Sequence, residues 1–224
     1  MTVKIEFLGH ASFLVRSGSY TIAMDPFLNG NPVAKKSADE IECTHIVLSH
    51  GHADHIADAG PIAKRRGATV FGAFEICNFL GETHGLEKLE PMNPGGQVKT
   101  DFGFVALTRA YHSSSFDGRY MGMPCGVILS IGGKTIYHSG DTALFSDMKL
   151  IGELYRPDVA LLCAGDRFTM GPEHAARAAE WVGAPVAVPM HYGTWPLLTS
   201  DMSGFKPRGV EARIMKPGEV MTVG

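Results

Sequence analysis

The sequence predicts a layered α/β or α+β protein, and three features of the chain lead to this prediction. Short apolar strands with glycine-rich turns fill the first part of the chain, and helices alternate with strands in the last part. The length of 224 residues, with 45% hydrophobic and 19% charged residues, is ordinary for a globular domain. Because no internal repeat or low-complexity linker interrupts the chain, we expect one domain over residues 1–224.

The first part of the chain predicts mainly strands. Alternating or continuous apolar residues place these strands at residues 4–8, 12–15, 20–24, 45–49 and 69–71. Residues 16–19, with Gly18, predict the turn of a hairpin. A helix is predicted over residues 56–66, ending at Gly67, and a second helix over residues 74–80.

The rest of the chain predicts two hairpins and then an alternation of helix and strand. The hairpins are expected around Asp101-Phe102-Gly103, within residues 98–112, and around Gly132-Gly133, between residues 125–131 and 134–138. Helices are predicted over residues 148–155 and 172–182, the second beginning at Pro172, since proline is tolerated at the first helical position. Strands are predicted at residues 159–163 and 185–190, with a strand pair over 210–223 interrupted by Pro217-Gly218.

Composition limits the classes of partner. The formal net charge of −3 provides no basic stripe, so we expect no nucleic-acid partner. No apolar run approaches the roughly 20 residues that span a bilayer, and the first residues lack the features of a signal peptide. The four cysteines are far apart and form no C-x-x-C pair, and Cys163 in an apolar strand is expected to be a buried reduced thiol. We therefore expect a cytoplasmic protein with no membrane partner.

One short segment concentrates side chains that bind metals. His50-x-His52-x-Asp54-His55 follows an apolar strand, and imidazole and carboxylate groups are good ligands for zinc and neighbouring divalent metals. Alternate residues of an extended segment point the same way, so His50 and His52 can bind one ion together. Asp54 and His55 lie where the chain turns into a helix, free to face a second ion. Such a cluster has little use in packing, which favours a metal site over a solvated loop.

Three more metal-competent residues follow predicted strands. They are His112, Asp141 and His191. Loops at strand ends commonly hold functional groups. Each residue alone is more often structural, but the three together with the cluster indicate a functional site.

These residues resemble the metallo-β-lactamase superfamily, whose signature is H-x-H-x-D-H, then a separate histidine, an aspartate after glycine and a late histidine. The match covers nearly the whole chain in the order of the family. Three further motifs resemble a branch of small stand-alone metal-dependent hydrolases similar to sugar-phosphate lactonase-like proteins: Gly9-His10-Ala11-Ser12, Phe168-Thr169-Met170-Gly171-Pro172 and Pro189-Met190-His191-Tyr192-Gly193. The chain departs from the branch at Asp166-Arg167, where a histidine is expected. The resemblance implies a four-layer αβ/βα sandwich with metals at one edge, between two sheets.

The resemblance also implies roles for individual residues. A first metal is expected on His50, His52 and His112, a second on Asp54, His55 and His191, with Asp141 bridging the two. Asp25 matches an early aspartate that orients ligands. Candidates for contacts behind the ligands or with substrate are His10, His138 and Tyr192. Tyr192 is also, with Trp195, a candidate for a wall of the substrate pocket. Arg109, Arg119 and Arg167 are candidates for binding an anionic substrate.

The expected function is that of a hydrolase with two divalent ions, zinc first, with manganese or iron compatible with the same ligands. A hydroxide bridging the ions would attack a carbonyl carbon or phosphorus, with Asp54 holding the nucleophile and assisting proton transfer. The expected substrate is a small-molecule ester, lactone or phosphodiester. Two alternatives stay open, a nucleic-acid nuclease of the same superfamily and a non-catalytic metal-binding protein. The oligomeric state is open, and a homo-oligomer is compatible with the sequence.

Overall fold

The computed structural model describes residues 2–224, which form two seven-stranded sheets and a separate two-stranded ribbon. The strands are β1 (Val3–Gly9), β2 (Ser12–Ser17), β3 (Tyr20–Met24), β4 (His45–Val47), β5 (Thr69–Ala73), β6 (Leu89–Met92), β7 (Gln97–Thr100), β8 (Gly103–Arg109), β9 (Ser115–Phe116), β10 (Arg119–Tyr120), β11 (Cys125–Ile131), β12 (Lys134–His138), β13 (Val159–Cys163), β14 (Val186–Met190), β15 (Glu211–Ala212) and β16 (Val220–Val223). The helices are α1 (Ala53–Ile56), α2 (Ala59–Arg66), α3 (Phe74–His84), α4 (Met148–Tyr155) and α5 (Pro172–Val182), with a 3-10 turn at Ala38–Glu40.

The two sheets have related strand orders. The first runs β16-β1-β2-β3-β4-β5-β6 and the second β15-β14-β13-β12-β11-β8-β7. Each sheet combines antiparallel hairpins with parallel strands: β3 to β6 are parallel neighbours in the first sheet, and β12 to β15 in the second. Parallel neighbours need a crossover connection, and helices lie in four of these connections: α1 and α2 between β4 and β5, α3 between β5 and β6, α4 between β12 and β13, and α5 between β13 and β14.

Apolar side chains fill two separate regions. The larger cluster contains Phe13 and Ile22 from the first sheet and Val127 and Leu161 from the second, so it fills the space between the sheets, and it continues to the buried residues of α4 and α5. The smaller cluster joins the other face of the first sheet to α2 and α3. Helices α4 and α5 contact each other, and α5 packs on β13 and β14. The layers are therefore helix, sheet, sheet and helix, which confirms the predicted sandwich. Among residues 2–224 no helix has the length and hydropathy that a membrane crossing requires.

Two predictions about elements are wrong, each because of a tertiary contact. The helix predicted over residues 56–66 is broken between α1 and α2 at Asp58, whose carboxylate accepts hydrogen bonds from the backbone N–H groups of Leu28 and Asn29 at 2.6 and 3.0 Å. The segments expected to pair over residues 210–223 lie in different sheets, β15 beside β14 and β16 beside β1. Between β15 and β16, Gly218 donates its N–H to the carbonyl of Phe7 at 2.7 Å. This bond fixes the segment where the chain passes from the second sheet to the first.

Strand direction gathers the loops that hold the predicted site residues. In the first sheet β1, β3 and β4 run the same way, and in the second β8, β12 and β14 do. Their carboxyl ends therefore meet at one edge of the sandwich. Backbone hydrogen bonds join the two sheets there, from His191 to His10 at 2.7 Å and from Cys125 to Ser49 at 3.0 Å.

Candidate metal centre

Asp141 lies at the centre of the predicted ligands. Its Oδ2 atom is 3.0 Å from His191 Nε2 and 3.6 Å from His112 Nε2. The same oxygen is 3.9 Å from His50 Nε2, and Oδ1 is 3.4 Å from His55 Nε2. Asp141 follows β12 and is buried. One carboxylate thus faces histidines from both sheets.

The first group consists of three histidines, His50, His52 and His112. Their ligand atoms lie within 4.8 Å of one another. His50 Nε2 and His52 Nδ1 face each other at 3.1 Å. Two nitrogen ligands of a tetrahedral zinc ion, with Zn–N bonds of about 2.05 Å, are about 3.3 Å apart. The spacing of this group therefore fits a single ion.

The second group consists of Asp54, His55 and His191, with His10 beside them. The four side chains offer ligand atoms within 4.8 Å of one another. Asp54 Oδ2 is 3.5 Å from His191 Nε2, and the Asp54 side chain is 25% exposed, toward the cleft described below. Asp54 therefore lies on the side of this group that solvent can reach.

Asp25 orients two histidines from behind. It is buried and accepts hydrogen bonds from the N–H of Ser49 at 2.7 Å, from Ser49 Oγ and from His55 Nδ1 at 2.8 Å. Ser49 gives its only hydroxyl proton to Asp25, so its oxygen accepts from His50 Nδ1 at 3.0 Å. These contacts hold the Nδ1 proton of each histidine and direct Nε2 to the centre, the atom that binds a metal once it is deprotonated.

His10 connects the two sheets at the centre. Its Nε2 donates to Asp54 Oδ2 at 3.0 Å, and the Thr194 hydroxyl donates to its Nδ1 at 2.8 Å. Both His10 and His191 have left-handed backbone, with φ of 58° and 59°. Such strain in non-glycine residues clusters at functional sites.

His138 and Tyr192 lie farther from the cleft. His138 donates from Nε2 to the Ala11 carbonyl at 2.9 Å and accepts the Gly140 N–H at Nδ1 at 3.1 Å, which fixes the turn before Asp141. The Tyr192 hydroxyl donates to the Met215 carbonyl at 3.3 Å, and its ring packs on the core. Tyr192 does not line the cleft, and its placement gives no support to the predicted contact with substrate.

The carboxylates favour positive charge at the centre. Burial raises the pKa of Asp141, but the neighbouring His191 and His55 hold it well below its usual value. Burial lowers the pKa of His191, yet Asp141 and Asp54 raise it to about 9. The pKa of His55 is likewise raised well above its usual value by Asp141 and Asp25 despite burial. Around His55 and His191 the carboxylates therefore favour bound cations, whereas burial lowers the pKa of His50, His52 and His112 and leaves these three imidazoles neutral and ready to bind a metal.

The fit to metal ions also follows from atoms left without partners. His55 Nε2 and Asp141 Oδ1 are buried, and within residues 2–224 neither has a hydrogen-bond partner. Buried polar atoms are normally satisfied, and these two point at each other. A divalent ion bound between such atoms would satisfy both. The residues present therefore fit metal ions at this position.

A cleft of about 200 Å³ opens onto these groups. Its lining consists of His52, Asp54, His112, Ser113, Asp141, Phe168, His191 and Trp195. Trp195 was predicted as a wall, and it lines the cleft. Sequence reasoning did not select Phe168, Thr194 or Ser49 as individual functional residues. The one signal for Ser49 is a polar residue at the end of an apolar strand, directly before His50.

The predicted arginines occupy different surroundings. Arg109 pairs with Asp147 at 3.3 Å and Arg119 with Glu82 at 2.8 Å. The Arg167 guanidinium lies 5.6 Å from the ring centroid of Phe168, beside the cleft. Arg167 alone of the three contacts a residue that lines the cleft.

A family model and the similar proteins of known family indicate the same family for this chain. The model of the beta-lactamase superfamily domain matches residues 20–192. A UPF0173 metal-dependent hydrolase from Carboxydothermus hydrogenoformans is 46% identical over 99% of this chain and 100% of its own. A solved metallo hydrolase from the archaeon Ignicoccus hospitalis is 38% identical with a TM-score of 0.88, covering 100% of this chain and 99% of its own. A metallo-beta-lactamase fold protein from Bacillus subtilis, 18% identical with a TM-score of 0.75 over the full length of both chains, shows the fold alone.

Proposed function

The chain belongs to the UPF0173 metal-dependent hydrolases of the metallo-β-lactamase superfamily, and we propose that it cleaves a small-molecule ester, lactone or phosphodiester with two divalent ions. The first ion would be held by His50, His52 and His112 and the second by Asp54, His55 and His191, with Asp141 shared. Zinc suits these ligands, as do manganese and iron.

The observation that carries this proposal is the position of Asp141. Its Oδ2 atom lies between His112 of one ligand group and His191 of the other, at 3.6 and 3.0 Å. A single metal site would not need a carboxylate that faces two separate sets of histidines. Seven protein ligands shared by two ions also leave positions open for water and substrate, as in catalytic sites rather than closed structural ones.

Individual residues of the chain would have separate roles in the hydrolysis. When bound, the two ions supply a water molecule acidic enough to act as a nucleophile near neutral pH. Asp54, the ligand candidate that is both partly exposed and hydrogen-bonded to His10, would orient that water and accept its proton. His10 holds the Asp54 carboxylate in place through its Nε2–H. Phe168 and Trp195 would limit the access of bulk water to the cleft.

The test is a hydrolysis panel with zinc- and manganese-reconstituted protein. The panel contains lactones, thioesters, simple phosphodiesters and a β-lactam, and metal content is measured in parallel by mass spectrometry. We expect about two ions per chain and metal-dependent turnover of an ester, lactone or phosphodiester. Asp54→Ala should lower kcat at least about 100-fold, within the range that general acid–base groups contribute. His174→Ala, at an exposed histidine of α5, is the matched control and should leave turnover unchanged.

Two results would contradict the proposal. Full turnover in Asp54→Ala at equal metal content would exclude the role of Asp54. No turnover of any panel member by protein that holds both metals would exclude cleavage of these bonds as the function.

A further inference from the structure

The loop between β13 and α5 carries an aromatic ring to the cleft on strained backbone. Asp166 and Arg167 are consecutive non-glycine residues with φ of 63° and 37°, a left-handed conformation that costs free energy at each residue. Phe168 follows directly and lines the cleft, although its side chain is 52% exposed. A half-exposed ring contributes little burial, so packing of Phe168 does not offset this strain. The strain therefore points to a function for the position of the ring.

Hydrogen bonds hold this loop, residues 165–170, in one place. Asp166 donates its N–H to the Met170 carbonyl and accepts the Thr169 N–H, both at 2.9 Å. Met170 is buried and donates to the Thr142 carbonyl at 3.1 Å. Thr142 directly follows Asp141, so the position of Phe168 is fixed relative to the centre of the metal-binding groups.

Trp195 is the second aromatic residue of the cleft. Its indole packs on His10 and Phe27, with ring centroids 4.8 and 6.0 Å apart. The loop that carries Trp195 is joined to the Phe168 loop by a hydrogen bond from Thr199 N–H to the Gly165 carbonyl at 3.0 Å. Both rings are thus held in one hydrogen-bonded framework beside the reacting centre.

The rest of the lining consists of the metal-binding residues and Ser113. The part of the cleft that remains for recognising a substrate is therefore mainly aromatic. Aromatic rings contribute most when another apolar, flat group packs on them and water is released. A substrate with only a small substituent at this place would leave both rings without such a partner.

We infer that this cleft selects substrates with an aryl or similarly flat apolar group next to the bond that is cut, and that Phe168 determines this specificity. The inference rests on the proposed function, because it assigns the substrate class of the same site. The volume of about 200 Å³ admits one group of about the size of a single ring beside the metal-binding residues.

The test compares substrates that share a reacting group and differ only in the neighbouring substituent. The pairs are γ-phenyl- against γ-methyl-γ-butyrolactone and ethyl phenylacetate against ethyl propanoate, assayed as kcat/KM with zinc-loaded protein. We expect the aryl member to be favoured about tenfold, the size of a good aromatic contact. Phe168→Ala should remove most of this preference by slowing the aryl member alone, and Phe168→Leu should be intermediate. Phe74→Ala, at a ring that is 49% exposed and outside the cleft, is the matched control and should keep the preference.

The inference and the proposed function fail in distinguishable ways. Equal kcat/KM for both members of each pair in the wild-type protein overturns the inference and leaves the hydrolase intact. If neither esters nor lactones are cut, calorimetric titration of zinc-loaded protein with phenylacetate and with acetate decides the inference. Tighter binding of phenylacetate that is lost in Phe168→Ala supports it, and equal affinities overturn it.

Discussion

At the scale of single residues, Asp25 holds two of the candidate metal ligands in place, although it does not line the cleft. Its carboxylate accepts a hydrogen bond from His55 Nδ1 and another from Ser49 Oγ. The second bond orients the Ser49 hydroxyl, whose oxygen then accepts the proton on His50 Nδ1. Partners of this kind set the tautomer and the orientation of metal ligands, and their loss typically lowers metal affinity 10- to 100-fold. The backbone at Asp25 has φ of 43°, a conformation that asparagine tolerates. Asparagine therefore tests the carboxylate while preserving the backbone.

We predict that Asp25→Asn lowers the affinity for zinc about 10- to 100-fold, because an amide has one oxygen where the carboxylate has two. The measurement is competition with a chromophoric chelator, with circular dichroism to establish that the protein is folded. Asp158→Asn, at a carboxylate that serves Lys134 and Thr135 away from the centre, should bind zinc normally. Unchanged zinc affinity in Asp25→Asn would exclude the orienting role.

A second prediction concerns the hydrogen bond from His10 to Asp54. Glutamine can place an amide N–H near the position of His10 Nε2, whereas alanine cannot. A hydrogen bond to a charged group contributes about 1.5–3 kcal/mol, so His10→Ala should lower kcat about 10- to 100-fold. His10→Gln should recover most of the loss, with the metal content of both variants near that of the wild type. Equal damage in the two variants would mean that His10 acts through its bulk rather than through this hydrogen bond.

The sequence predicted the ligand candidates better than the residues around them. His50, His52, Asp54 and His55 form a local cluster whose chemistry can be interpreted without a structure. Thr194 carries no such signal, and Phe168 is marked only as part of a motif that resembles the branch, because their contacts with His10 and the cleft depend on how distant loops meet. These roles become visible only when tertiary contacts are known.

At the scale of elements, the short turn from β4 into α1 requires glycine at position 51, where a side chain would not fit. A Cβ atom added at Gly51 would lie 2.2 Å from Met121 Cβ and 2.6 Å from Met121 Cγ. Met121 is fully buried, and its Cβ is fixed to the backbone, so it cannot move away freely. His50 and His52 flank this glycine, and any shift of the segment would separate their facing nitrogen atoms.

We predict that Gly51→Ala destabilises the protein by about 1–3 kcal/mol, the usual cost of overpacking a core, and lowers its zinc content. Urea denaturation and metal analysis measure the two effects. Gly72→Ala in β5 is the matched control, since its added Cβ would meet Leu48 and Ile76 at ordinary contact distances of 3.5 Å. Wild-type stability and zinc content in Gly51→Ala would show that the segment can rearrange without cost.

Element boundaries were predictable where local signals decide them. Hairpins with Gly18 and Gly132-Gly133 follow turn chemistry, and both were placed correctly. The break at Asp58 and the separation of β15 from β16 depend on partners far away in the chain. Local periodicity contains no information about such partners, which is why both predictions were wrong.

At the scale of the whole molecule, the candidate centre joins the two sheets. His50, His52, Asp54 and His55 follow β4 of the first sheet, whereas His112, Asp141 and His191 follow β8, β12 and β14 of the second. Ions bound here would connect the two sheets at the edge where the strands end. The core between the sheets is extensive without them, so the fold itself should persist when metals are removed.

We therefore predict that chelation lowers Tm without loss of secondary structure. Ligands that bind only the native state stabilise it by RT ln(1 + [L]/Kd), about 2.7 kcal/mol at a concentration of 100 Kd. For a chain of this size each kcal/mol shifts Tm by about 2–4 °C, so EDTA should lower Tm by about 5–11 °C and added zinc should restore it. Circular dichroism during heating measures the change, with far-UV spectra recorded at 25 °C in both states. His50→Ala combined with His112→Ala should abolish the response to zinc at the first ligand group and reduce the shift. An identical Tm with and without metal would mean that the centre does not link the two sheets.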